Sequence, residues 1–108
     1  MNCALGPELM AAHLEVLASI SKFPVAIVPN AGIPDSYGKY PLTPESFAKE
    51  IEIFVKKDLL NIVGGCCGTT PRHLAALNEQ MESIEPLVRK IQPVLPSATS
   101  LYSPVEFK

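Results

Sequence analysis

Three stretches of the chain carry apolar residues spaced three and four apart, and each opens on a proline. Met10, Leu14 and Leu17 follow Pro7. Phe47, Ile51, Phe54 and Val55 follow Pro44, and Leu74, Leu77 and Met81 follow Pro71. That spacing puts each set on one face of a helix. It predicts a first helix over about 7–22, a second over about 44–57 and a third starting at Pro71. Proline in the first turn loses only an amide hydrogen that would go unpaired there, and Gly6, Thr43 and Thr70 just ahead are acceptable N-caps. Glu8 and Glu45 place negative charge where the helix dipole favours it.

Between the helices lie apolar runs without helical period, VAIV at 25–28 and LLNIV at 59–63. Continuous β-branched runs of this length suit strands buried on both faces, as in parallel sheets. The order helix, strand, helix, strand, helix reads as an α/β protein of βα units. No strand is predicted ahead of the first helix, and two parallel strands leave both edges open. The stretch 86–108, with Pro86, Pro93, Pro96 and Pro104 and a Ser-Ala-Thr-Ser segment, reads as a short helix or irregular arm and then a linker. The pattern is that of the end of a larger domain and the start of a connection.

The 108 residues make one small domain or a piece of one, and 47% hydrophobic content suits a packed chain. A net charge of −2 gives no electrostatic reason to expect nucleic acid or an anionic membrane. No apolar run approaches the length of a membrane span, and the N-terminus lacks the pattern of a signal peptide. Three cysteines are too few, and odd in number, for a secreted disulfide framework, so a reducing cytoplasm is expected.

Those cysteines carry the candidate chemistry. Cys66 and Cys67 are adjacent inside NIVGGCCGTTP, and Cys3 lies just before the first helix. All three fall where a parallel βα fold places its ligand sites, in loops leading from strand to helix. Neighbouring side chains on a strand point to opposite faces, so Cys66 and Cys67 converge only if the backbone bends. Gly64, Gly65 and Gly68 supply that freedom. From spacing alone, a three-thiolate zinc site stands beside two blander readings: buried cysteines as small core hydrophobes, and a glycine loop as an anion cradle. The loop lacks the phosphate-binding Gly-x-x-x-x-Gly-Lys-Ser/Thr pattern, and a Cys66–Cys67 disulfide would close a strained ring.

The segments NCALGP, VPNAGIPDSYGKY and NIVGGCCGTTPRHL stand in one order. Together they resemble the homocysteine S-methyltransferase family, most closely its cobalamin-dependent, methionine-forming branch, over about residues 1–90. The resemblance implies a (β/α)8 TIM barrel of which this chain is the C-terminal fragment, from the end of the sixth strand through the seventh and eighth βα units. Residues 1–92 would belong to that barrel, and 93–108 to a linker toward a following module. It implies that Cys3, Cys66 and Cys67 bind zinc, that homocysteine sulfur takes the fourth position, and that Asn30 is a displaceable ligand when substrate is absent. Taken alone, Asn30 reads equally as a turn residue after a strand. No catalytic residue beyond the zinc site is expected. Methylcobalamin would sit on a separate module, remethylated from a folate.

Zinc ligation would keep a thiol, ordinarily protonated at neutral pH, as a reactive thiolate. Other branches, using betaine or S-methylmethionine, share the three cysteines, so the methyl donor stays open. A non-catalytic structural zinc module is the contrasting reading. It would need a fourth protein ligand, and His13 and His73 are expected as surface or packing residues instead. Alone, the fragment is expected to be inactive and to self-associate, its partners being homocysteine and the remaining barrel, cobalamin and folate modules.

Overall fold

A computed structural model describes residues 1–86 and, beyond them, only the backbone of two short strands. The element order is α1 (Pro7–Ile20), β1 (Ala26–Ile27), α2 (Pro44–Lys56), β2 (Ile62–Val63), α3 (Pro71–Met81), β3 (Ser97–Thr99) and β4 (Pro104–Glu106). The three predicted helices form, and all three start at their prolines. The chain is a mixed helix and strand unit, a partial α/β domain. Among the described residues no helix is long and apolar enough to cross a membrane.

β1 and β2 pair in parallel, Ala26 opposite Ile62 and Ile27 opposite Val63. A third parallel stretch lies on the other side of β1. Val28 N–H donates to Met1 O at 2.9 Å, Cys3 N–H donates to Val28 O at 3.0 Å, and Asn2 bridges Val28. This corrects the expectation that no strand precedes α1: the first three residues act as one, too short to show a period in sequence. β2 is also less covered than expected. Ile27 is sealed in the core, but Ile62 is 58% exposed because among the described residues nothing packs over that face.

Helix ends follow local chemistry. α1 stops at Ile20 rather than Lys22, because Pro24 disfavours helix at Phe23. Ser21 then turns the chain, its N–H donating to Leu17 O and its hydroxyl to Phe23 O. α2 is capped at its start by Thr43, whose side chain accepts from Ser46 N–H. It closes in a Schellman arrangement: Asp58 takes φ 57°, Leu59 N–H donates to Phe54 O, and Asp58 N–H donates to Val55 O. At the start of α3, Thr70 N–H donates to His73 Nδ1 at 3.2 Å, the histidine filling the place a Glu or Gln takes in a capping box.

The core gathers Leu14 of α1, Val25 and Ile27 around β1, Phe47, Ile51 and Phe54 of α2, and Leu77 of α3. Leu74, expected on the buried stripe of α3, is exposed; His73 takes that place beside Leu77. The Thr70–His73 bond fixes the rotation of the first turn, and His73 meets Phe47 edge to face at 5.5 Å. Gln80 donates to Glu52 at 2.8 Å, tying α3 to α2. The linker expected over 93–108 lies mostly outside the described residues. Within it β3 and β4 pair antiparallel, Ala98 opposite Val105.

Candidate metal centre

Cys3 sits where the N-terminal stretch leaves the sheet. Its backbone takes φ 55° and that of Ala4 φ 62°, a left-handed pair without glycine. Such torsions are uncommon for residues with a Cβ and tend to cluster at functional sites. They are held by Cys3 N–H on Val28 O and by Leu5 N–H on Cys3 O at 2.7 Å. The turn brings the Cys3 thiol to the loop after β2.

That loop is pinned to the loop after β1 by a run of short bonds. Gly64 N–H donates to Ile27 O, Cys66 N–H to Pro29 O at 2.9 Å, and Ala31 N–H back to Cys67 O at 2.9 Å. Thr69 closes the turn, its hydroxyl donating to Cys66 O at 2.6 Å. The glycines divide their work differently from the expectation. Only Gly68 of the three takes a left-handed torsion, φ 80°. Gly65 is needed for space, since a Cβ there would stand 2.6 Å from Thr69 Oγ1.

The three sulfurs lie within 4.8 Å of one another. Cys3 Sγ is 3.7 Å from Cys67 Sγ, and Cys66 Sγ is 4.0 Å from Cys67 Sγ. Thiolates at about 2.3 Å around a tetrahedral zinc stand about 3.8 Å apart, so the group has the spacing that metal ligation requires. Cys3 and Cys66 are half-buried and Cys67 is exposed. The cluster therefore opens on one side to solvent, and among the described residues no His, Asp or Glu joins it. The thiols are not equivalent. A hydrogen bond from Ala4 N–H, then those from Cys66 and Cys67, lower the Cys3 thiol below its ordinary range. Cys66 is pushed up, first by its hydrogen bond with Cys3 and then by burial.

Asn30 is buried, 5% exposed, and its Oδ1 accepts from Cys67 N–H at 3.1 Å while its own N–H donates to Leu5 O. Asn30 thus ties the segment that follows Cys3, through its backbone N–H, to the Cys66–Cys67 loop, through its side chain. His13 is exposed on α1. His73 is a packing residue: its Nε2 meets Leu42 O at 2.7 Å, and its Nδ1 accepts from Thr70 N–H. Sequence reasoning gave no role to Tyr40 or Thr69. Thr69 had a local signal, a hydroxyl three residues after Cys66. Tyr40 had none, because its contact with Gly68 arises only when the two loops meet.

A family model described as homocysteine S-methyltransferase matches residues 1–81. The chain is 38% identical over 110 residues to methionine synthase of Mycobacterium tuberculosis (strain ATCC 25618 / H37Rv), which covers 99% of this chain and 9% of that protein. It is 38% identical over 114 residues to methionine synthase of Mycobacterium leprae (strain TN), covering 99% of this chain and 10% of that protein. The chain thus spans about a tenth of the length of these relatives.

Proposed function

The chain belongs to the homocysteine S-methyltransferase family, and on that premise we propose that it supplies the zinc-binding part of an enzyme that methylates homocysteine to methionine. The observation that carries the proposal is the convergence of Cys3, Cys66 and Cys67 at tetrahedral spacing, open on one side. A structural zinc is closed by four protein ligands, whereas a catalytic one keeps a position for substrate. When bound, zinc supplies a Lewis acid that lets a homocysteine sulfur stay deprotonated at neutral pH.

The chain's own residues do three things in this reading. Cys3 and the vicinal pair Cys66 and Cys67 present three sulfurs to one point, where a bound zinc would take them as thiolates. Asn30 holds the Cys67 backbone in place, and its neutral amide oxygen is a weak, displaceable donor beside the open position. The left-handed Cys3–Ala4 turn and Gly68 fix the directions of approach.

Residues 1–92 are proposed as the C-terminal portion of a (β/α)8 barrel and 93–108 as a connection onward. Three parallel stretches side by side, each followed by a helix, support that placement. The methyl donor is proposed to be methylcobalamin on another module, in a reducing cytoplasmic setting.

Zinc content decides the ligand assignment. The parent chain should hold zinc, and Cys67→Ser should lose most of it, since two thiolates and a hydroxyl make a much weaker site. Equal zinc in both proteins would overturn the assignment.

A further inference from the structure

His73 does more than pack. It is 6% exposed, and its ring meets Phe47 of α2 edge to face. An apolar side chain would fill that place with no polar atoms to satisfy, whereas a buried imidazole is tolerated when its nitrogens are bonded. Both are. Nε2 meets Leu42 O at 2.7 Å, and because a carbonyl only accepts, Nε2 carries the proton. Thr70 N–H, which only donates, reaches Nδ1 at 3.2 Å, so Nδ1 is the bare nitrogen of a neutral ring. The Thr70 hydroxyl meets the same nitrogen at 2.9 Å.

These bonds close a circuit around the paired thiols. From Leu42, the N–H donates to Ala31 O at 3.1 Å, and Ala31 N–H donates to Cys67 O at 2.9 Å. From Thr70 the chain runs back one residue to Thr69, whose N–H and hydroxyl both donate to Cys66 O, at 3.1 and 2.6 Å. The carbonyls of both cysteines are thus held, each by way of a different nitrogen of one ring. Within the circuit, only His73 crosses from the loop after β1 to the start of α3.

Resting on the metal reading above, we propose that His73 is a positioning residue for the metal centre. It clamps the loop after β1 to the start of α3 and so fixes the backbone from which Cys66 and Cys67 present their sulfurs. A site whose supports are loose holds its ligands off the productive geometry. Outer contacts of this kind typically change metal affinity by about 10- to 100-fold when removed.

In the full chain, His73→Leu keeps an apolar side chain against Phe47 and removes both bonds. His73→Gln keeps an acceptor suited to a capping box and a donor for Leu42 O. Phe54→Leu, near the C-terminal end of α2, is the control, since it loosens the core away from the circuit. Amide hydrogen exchange followed by NMR reads the clamp with no metal present. His73→Leu should speed exchange at Ala31 and Thr69 several-fold more than along α1. With Co(II) as the probe, its affinity should fall by about 10-fold or more, and His73→Gln should recover most of that loss. Phe54→Leu should melt lower, exchange faster evenly and bind Co(II) as the parent does. If His73→Leu does not fold, His73→Asn, too short to reach Leu42 O, takes its place in the same measurements. The proposal is overturned by exchange that rises no more at Ala31 and Thr69 than along α1, or by parental Co(II) affinity in the variant. A His73→Gln chain no tighter than His73→Leu, or an equal loss of affinity in Phe54→Leu, also overturns it. If the parent takes up no Co(II), the metal reading fails on its own, and the exchange pattern still decides the clamp.

Discussion

Asn30 joins the loops that carry the thiols, its side-chain oxygen accepting from Cys67 N–H and its backbone N–H donating to Leu5 O. As an amide it is a hard, neutral donor, which a sulfur-rich zinc exchanges readily for an anionic sulfur. On the proposed function, in which Asn30 is a displaceable ligand, Asn30→Cys should close the site with four sulfurs and leave no position for homocysteine. Zinc-edge absorption with and without homocysteine, on a protein with the complete barrel, tests this; if the variant still gains a sulfur on adding homocysteine, Asn30 does not face the metal. Cys66 and Cys67 stood out in sequence because adjacency and glycine are local signals, whereas Cys3 was joined to them through the family resemblance. The roles of Asn30 on Cys67 and of Tyr40 on Gly68 did not stand out, since each depends on two loops meeting across the sheet. The left-handed Cys3–Ala4 pair was equally invisible, because no glycine marks it.

Helix positions were read well from apolar spacing and proline, and their rotations less well. α3 shows why: the bond from Thr70 N–H to His73 orients its first turn, so His73 is buried and Leu74 exposed. A periodicity count treats histidine as polar and chooses the leucine. Asp58 ended α2 without the glycine that usually signals such a cap. On the same helix, Glu50 has one carboxylate oxygen sealed from solvent with no hydrogen-bond partner, while the rest of the side chain keeps some access to water. Burial, and then the charge of Glu8, raise its carboxyl above the ordinary 4.5. Below that value the folded and unfolded chains both hold the proton. Above it the unfolded chain releases the proton first, so the ionised carboxylate costs the fold stability as pH rises. Glu50→Gln should therefore melt higher than the parent at pH 7, with the gap shrinking toward nothing below about pH 4.5. Thermal melts of both proteins across this window check it, and a gap independent of pH would show that ionisation of Glu50 is not the cause.

At the scale of the molecule, the described residues form one core and leave several large apolar side chains bare. α1 buries Met10 and Leu14, yet its other side presents Leu9, Val16 and Ile20, continued by Phe23 at 75% exposed. Spacings of seven and four residues put Leu9, Val16 and Ile20 on a second apolar stripe of the helix, and Phe23 follows just beyond its end. Ile62 adds an apolar side chain at the far strand, and among the described residues neither outer parallel stretch has a further partner. A barrel would cover all of these with neighbouring βα units. Among the described residues nothing covers them, and unpaired strand edges and an apolar helix stripe both favour association between copies. The chain should therefore scatter light as a concentration-dependent oligomer and show no homocysteine methylation alone. Replacing Val16 and Ile20 by Lys should shift it toward monomer without touching the thiols, which lie at the other end of the sheet. Zinc uptake should survive that change, since every contact that positions the three sulfurs lies within residues 1–73 and away from that stripe. A monodisperse parent monomer with a cooperative melt would mean that the exposed stripe needs no cover, and the barrel placement would lose its strongest structural motive.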